Sequence, residues 1–184
     1  MVAEHKRVYI DTMIFIKHLF NATHPLHSKI ENFFNDISNQ MYKGITSSFT
    51  RSEYLAVIKE ILATKTCDIP SQTEITQALE IFDKFIDKMG IEVFDSDDLA
   101  RSHGMLFSEC HKRIEIASPI KGNNTRWRIL GDADSIILLL AERCNSNMLA
   151  TNDDGFKGMI SHVTPLIVKV INAIKGLGIQ TGNI

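Results

Sequence analysis

Cysteine is scarce in this sequence. The 184 residues include three cysteines, and Cys67, Cys110 and Cys144 lie far apart with no CxxC pair. An odd number of dispersed thiols suits neither a disulfide framework nor a cysteine-rich zinc site. The composition therefore predicts a protein of a reducing compartment, and we expect it in the cytoplasm.

The sequence also lacks an excess of one charge and any long hydrophobic run. Its 20 Lys and Arg residues stand against 22 Asp and Glu, which gives a net charge of −2 at pH 7. Nucleic acid would therefore have to be held by a local basic patch or through metal ions. The first apolar stretch is interrupted at Asp11 and Lys17, so it is too short and polar for a signal peptide or membrane span. We expect no membrane partner.

Several common catalytic motifs are absent. The seven histidines form no HExxH motif, and the sequence has no Walker A loop, GxSxG elbow or GxGxxG fingerprint. His24 and His27 are three residues apart, but they flank Pro25 at a predicted helix start, and we assign them no metal. Nucleotide-driven and serine-hydrolase functions are excluded.

Short β-forming runs alternate with helical stripes along the chain. Strands are predicted at Val8-Tyr9-Ile10, Gly44-Ile45-Thr46-Ser47, Glu92-Val93-Phe94 and residues 147–151. Apolar periodicity predicts helices beginning near Leu26, over residues 50–65, over residues 75–89 with Gly90 as terminator, over residues 99–114, and a buried helix over residues 136–141. This alternation predicts one α/β domain over residues 1–184, with a central, mainly parallel sheet covered on both faces.

Four acidic residues occupy the ends of these predicted elements. Asp11 follows the first strand, Glu53 and Asp134 begin helices, and Asp153 follows a later strand. In a parallel sheet, ligands bind at the carboxyl ends of the strands. Oxygen ligands are those that Mg²⁺ prefers, and a bound cation can activate water against a phosphodiester. The pattern is that of a metal-dependent hydrolytic site.

Each acid also has a purely structural interpretation. Asp11, Asp132 and Asp153 are at positions where an aspartate caps a helix or forms a turn. A glutamate in a first helical turn, as we expect for Glu53, complements the helix dipole. Asp132 and Asp134 lie two apart and cannot share a helix face, so we expect one to cap and one to function.

The order and context of the acids are more specific, because the sequence resembles the PIN-domain family, including the VapC-like toxins of VapBC toxin–antitoxin pairs. Four segments in order carry the resemblance: Val8-Tyr9-Ile10-Asp11-Thr12-Met13-Ile14-Phe15-Ile16, Ser47-Ser48-Phe49-Thr50-Arg51-Ser52-Glu53, Asp134-Ser135-Ile136-Ile137-Leu138-Leu139-Leu140-Ala141, and Leu149-Ala150-Thr151-Asn152-Asp153-Asp154-Gly155-Phe156. Together they span nearly the whole chain.

The resemblance implies a three-layer α/β/α fold and a metal-dependent endoribonuclease. It implies Asp11, Glu53, Asp134 and Asp153 as the catalytic, metal-binding acids for Mg²⁺ or Mn²⁺. Thr12 and Thr151 would be neighbouring hydroxyls, with Asp132 and Asp154 as secondary candidates in near register. The implied partners are an RNA substrate, an antitoxin protein and a second copy of the chain.

A basic loop follows the predicted fourth helix. Lys121, Arg126 and Arg128 are candidates to contact RNA phosphates, with Trp127 stacking on a base. A solvated loop with Trp127 folded onto the core is an equal alternative.

Two other functions remain open at this stage. One is a catalytically degenerate PIN module that binds RNA or protein without cleaving, which does not explain why all four acids are retained. The other is a phosphatase-like or response-regulator-like domain with an acidic Mg²⁺ pocket, into which the helical Glu53 fits poorly.

Overall fold

The computed structural model describes residues 6–95, 132–151, 169–172 and 178–181. Strands and helices alternate along most of this length. In chain order they are β1 (Lys6–Ile10), α1 (Thr12–Leu19), α2 (His27–Ser38), β2 (Tyr42–Ser47), α3 (Ser48–Thr66), α4 (Gln72–Met89), β3 (Glu92–Phe94), α5 (Asp132–Arg143), β4 (Met148–Thr151), β5 (Lys169–Asn172) and β6 (Gly178–Thr181).

The six strands form one sheet in the order β3-β2-β1-β4-β5-β6. The first five in this order are parallel, and β6 pairs antiparallel with β5 at the edge. Tyr9 in the central strand lies opposite Ile45 of β2 and Leu149 of β4. The strand order reverses at β1, because β2 and β3 lie on one side of it while β4 and β5 lie on the other. In open α/β sheets such a switch point is where ligands bind, outside the carboxyl ends of the strands.

The first four helices share one hydrophobic core with the sheet. Val8 and Ile10 of β1 are fully buried in this core, together with an aromatic cluster from the helices. The rings of Phe15 and Phe82 lie 5.0 Å apart, centroid to centroid, at an edge-to-face angle. Such pairs stabilise a core beyond the area they bury. This packing fixes α1 and α4 against the sheet.

Helix α5 covers the other face of the sheet. It contacts β4 and buries Ile137, Leu140 and Ala141, none of which belongs to the core cluster formed with the first four helices. Tyr9, whose side chain alternates with those of Val8 and Ile10, points to this second face. The arrangement confirms the predicted PIN-like three-layer α/β/α architecture with a mainly parallel sheet.

Side-chain caps and left-handed backbone conformations mark the ends of the long helices α3 and α4. The Ser47 hydroxyl caps α3 by accepting from the Thr50 amide, and Ser71 with Glu74 forms a capping box at α4. Gly90 ends α4 with a left-handed φ of 62°, as its position in the sequence predicted. Cys67 ends α3 with a φ of 55°.

Most of the predicted elements within the described residues are confirmed. The structure adds α1, β5 and β6, which the sequence analysis did not identify. The predicted helix over residues 99–114 and the predicted loop over residues 121–128 lie outside the described residues. Among the helices that the structure describes, none combines the length and apolar character needed to cross a membrane.

Candidate active site

Asp11 lies at the switch point of the sheet. It directly follows β1, its side chain is buried with 3% of the residue exposed, and its amide donates to the Ala150 carbonyl at 3.0 Å. It occupies the N-cap position of α1, yet its side chain makes no capping hydrogen bond. Instead, Asp11 Oδ2 accepts a hydrogen bond of 2.6 Å from Thr151 Oγ1. Asp11 therefore takes the N-cap position that the structural interpretation predicted, but its side chain does not cap the helix, and its carboxylate joins the ends of β1 and β4.

Glu53 approaches the same region from α3. Thr12, the first residue of α1, is buried and donates its hydroxyl hydrogen to Glu53 Oε2. Since Thr12 follows Asp11 in the chain, this bond brings the Glu53 carboxylate to the end of β1.

The prediction that Glu53 lies in the first turn of its helix is wrong. Helix α3 begins at Ser48 and has no acidic residue in its first turn, so Glu53 lies in the second turn. The start is earlier than predicted because Ser47, at the end of β2, serves as the cap. Helix-dipole effects fall off within the first turn, so complementing the dipole does not account for Glu53.

A buried hydroxyl cluster lies beside these acids. The Tyr9 hydroxyl is 2.6 Å from Ser47 Oγ and 2.9 Å from Thr50 Oγ1, and all three residues are fully buried. Burial raises the pKa of Tyr9 well above its ordinary range, so the hydroxyl stays protonated. The sequence analysis did not identify this cluster. The available signal was a tyrosine in a buried strand, whose hydroxyl requires a partner.

Asp134 is the third residue of α5 and is partly exposed. It precedes the buried Ile137 and Ala141 by three and seven residues, so it continues their stripe toward the N-terminus of the helix. Asp132 is the first residue of this helix. The two aspartates therefore both lie in its first turn.

The direction of α5 follows from its C-terminal contact. Arg7, near the amino end of β1, donates through Nε and Nη2 to the Cys144 carbonyl at 3.2 and 2.9 Å. That carbonyl directly follows α5, so the C-terminus of α5 lies at the amino edge of the sheet. A 12-residue helix is about 18 Å long. Its first turn, with Asp134, is therefore directed toward the carboxyl edge, where Asp11 lies.

The structure thus brings together part of the predicted site. Asp11 with Thr151 and Glu53 with Thr12 form two hydrogen-bonded pairs at the carboxyl ends of β1 and β4. Asp153 and Asp154 lie outside the described residues, as do the candidate RNA-binding residues Lys121, Arg126, Trp127 and Arg128. Within the described ranges, no group of three or more His, Cys, Asp or Glu side chains is close enough to hold a metal.

The donor set nevertheless suits one kind of cation. The carboxylates of Asp11 and Glu53 offer oxygen atoms alone, and their neighbours Thr12 and Thr151 are hydroxyl donors that orient them. Oxygen ligands favour hard cations such as Mg²⁺ and Mn²⁺ over softer metals. The two histidines noted in the sequence are engaged elsewhere: His24 Nδ1 accepts from the Leu26 amide, and the ring of His27 stacks on His18.

The fold and the site together define an α/β domain in which the buried Asp11 carboxylate lies at the switch point of a mainly parallel sheet. The family model of the PIN domain matches residues 8–159. The chain therefore belongs to the PIN domain family, whose members are generally nucleases.

Among solved structures, the chain is similar to a crystal structure of VapBC2 from Rickettsia felis bound to a DNA fragment from their promoter. The identity is 18% and the TM-score 0.48, over 83% of this chain and 92% of that chain. Comparison with curated proteins gives no significant match.

Proposed function

We propose that this protein is a metal-dependent endoribonuclease that hydrolyses phosphodiester bonds of RNA, with the whole chain forming one nuclease domain. The observation that carries the proposal is the Asp11 carboxylate, which is buried at the switch point and held by Thr151 rather than capping α1. PIN family membership supplies the nuclease class.

The proposed ligands for Mg²⁺ or Mn²⁺ are Asp11, Glu53, Asp134 and Asp153. A bound divalent cation would activate water and neutralise the charge that builds on the scissile phosphate. The protein's own contribution is to hold the carboxylates in place. Thr151 donates a hydrogen bond to the Asp11 carboxylate and Thr12 donates one to the Glu53 carboxylate, and such contacts orient acids that bind a metal.

The direct test is cleavage of a mixed panel of single-stranded RNAs by the purified protein, with Mg²⁺, Mn²⁺ or EDTA. Asp11→Asn is expected to lower the cleavage rate by more than about 100-fold, since changes at supporting residues alone cost 10- to 100-fold. The matched control is Asp87→Asn, the same chemical change at an exposed position of α4, which should cleave like the parent.

Two results would contradict the proposal. Full activity in excess EDTA would exclude the metal, and full activity of Asp11→Asn would exclude the site. RNA binding without cleavage under any metal would instead indicate a degenerate PIN module.

For the biological role, we propose the toxin of a toxin–antitoxin pair, acting in the cytoplasm with an antitoxin protein as partner and as a homodimer. The support is the resemblance of the four acid-bearing segments to those of VapC-like toxins. Expression alone should arrest growth, and co-expression of an antitoxin encoded by a neighbouring short reading frame should restore it. Unimpaired growth with cleavage still present in vitro would indicate an RNA-processing enzyme instead. Light scattering of the purified chain tests the dimer.

A further inference from the structure

The hydroxyl cluster of Tyr9, Ser47 and Thr50 joins two segments that carry proposed ligands. Tyr9 lies in β1 two residues before Asp11, while Ser47 and Thr50 lie at the start of α3, which carries Glu53. The Tyr9 hydroxyl reaches both partners, at 2.6 and 2.9 Å, across 38 and 41 residues of sequence. The cluster is therefore a long-range tie and not part of a local turn.

The cluster acts on the first turn of α3. Ser47 Oγ accepts from the Thr50 amide at 3.2 Å, so the atom that caps the helix is also the atom that Tyr9 contacts. Thr50 and Glu53 are three residues apart on this helix and therefore lie on the same face. Displacing the first turn would displace the Glu53 carboxylate one turn further on.

A second tie joins the same two segments. Thr12 at the start of α1 donates to Glu53 Oε2, so the segment from β1 to the start of α1 contacts α3 at two levels. The Tyr9 tie is buried against the second face of the sheet, and the Thr12 tie lies at its carboxyl edge. Two contacts one helical turn apart fix the angle of α3 as well as its distance from β1.

We propose that Tyr9 is a positioning residue whose hydroxyl, through Ser47 and Thr50, sets the place of Glu53 relative to Asp11 and so tunes metal affinity. This inference rests on the proposed function, because it assumes that Glu53 and Asp11 bind a divalent cation. Tyr9 itself touches neither RNA nor metal. Its ring packs in the core, so replacement by phenylalanine removes the tie and little else.

The test compares Tyr9→Phe with Tyr54→Phe. Tyr54 is also fully buried, and its hydroxyl donates to the Ala78 carbonyl at 3.1 Å, which ties the same helix to α4. Both variants lose one buried tyrosine hydroxyl. Tyr9→Phe is expected to weaken Mn²⁺ binding by about 10-fold, measured by calorimetry without RNA, within the range for residues that orient metal ligands. Tyr54→Phe should bind Mn²⁺ like the parent.

Kinetics supply a second signature. For Tyr9→Phe, the Mn²⁺ concentration giving half-maximal cleavage should rise about 10-fold, while the rate at saturating Mn²⁺ stays within about 3-fold of the parent. Thr50→Val removes the partner hydroxyl of the same contact and should raise the half-maximal Mn²⁺ concentration similarly. In the double variant, the free-energy change in Mn²⁺ binding should be smaller than the sum of the two single changes. If circular dichroism shows that Tyr9→Phe does not fold, Thr50→Val provides the test in its place.

The outcomes separate the two proposals. A parent protein that binds Mn²⁺ and cleaves RNA, with Tyr9→Phe and Tyr54→Phe indistinguishable in Mn²⁺ affinity, overturns the positioning role and leaves the nuclease standing. A parent protein that neither binds Mn²⁺ nor cleaves RNA overturns both.

Discussion

Replacing Thr151 by valine isolates the hydrogen bond that holds the Asp11 carboxylate. Valine has nearly the shape of threonine but lacks its hydroxyl, so the change removes the 2.6 Å bond from Thr151 Oγ1 to Asp11 Oδ2. Both residues are buried, with 2% and 3% exposed. Little water is available to replace the lost donor, so Asp11 remains partly desolvated.

The expected cost follows from the type of bond. A buried hydrogen bond to a charged group contributes about 1.5–3 kcal/mol to the free energy of unfolding. For a domain of this size, each kcal/mol corresponds to about 2–4 °C in Tm, so Thr151→Val should lower Tm by about 3–12 °C. Thr151→Ser keeps the hydroxyl and loses one methyl group, at about 0.8 kcal/mol.

The assay is urea and thermal unfolding in EDTA, which removes any contribution from bound metal. The loss in free energy of unfolding on Thr151→Val measures the hydrogen bond, and Thr151→Ser gives the separate cost of the methyl group. In an Asp11→Asn background the loss on Thr151→Val should shrink to about 0.5–1.5 kcal/mol, because the acceptor is then neutral. The reasoning is refuted if the valine variant is no less stable than the serine variant.

Three further predictions concern the rest of the fold. Gly44→Ala should lower the free energy of unfolding by about 1 kcal/mol in urea titrations, since the added Cβ would lie 3.1 to 3.3 Å from three isoleucine side chains; a gain in stability would show that these side chains move aside. Burial lowers the pKa of His18 from its ordinary 6.5, and the stacked His27 lowers it further. As the pH falls, the unfolded chain therefore takes up this proton before the folded chain does, so the free energy of unfolding should decrease below pH 6.5. His18→Phe should flatten that dependence of Tm on pH, and an unchanged profile would contradict the assignment. Arg51→Lys breaks the two-pronged contact with Asp83, at 2.8 and 2.7 Å, but both side chains are nearly half exposed, so the loss should stay below about 1 kcal/mol by the same titration.

The strands that carry the site were predictable because each is a short β-forming run that ends at a polar residue. Val8, Tyr9 and Ile10 ahead of Asp11 gave such a signal, and the structure places them in β1. Helix α1 gave none. It has eight residues, and four of them, Thr12, Ile14, Phe15 and Ile16, are buried, so its sequence lacks the polar face that marks a surface helix.

The acids and the neighbouring hydroxyls of Thr12 and Thr151 could be proposed from the resemblance, but which hydroxyl bonds to which acid could not. The bonds from Thr151 to Asp11 and from Thr12 to Glu53 join residues 140 and 41 positions apart. No local pattern encodes such pairs, which depend on the strand order. The second-turn place of Glu53 was missed for a smaller reason: Ser47 ends β2 and caps α3 at once, with no loop between them.

The pairing of β1 with β4 has a consequence for the synthesis of the chain. β1 emerges from the ribosome early, and its partner β2 follows at once, since the Tyr9–Ser47 contact spans only 38 residues. Thr151, which orients the Asp11 carboxylate, follows 140 residues after it. Until β4 leaves the exit tunnel, the growing polypeptide lacks the hydroxyl that orients Asp11, so this part of the site cannot form before most of the chain has been made.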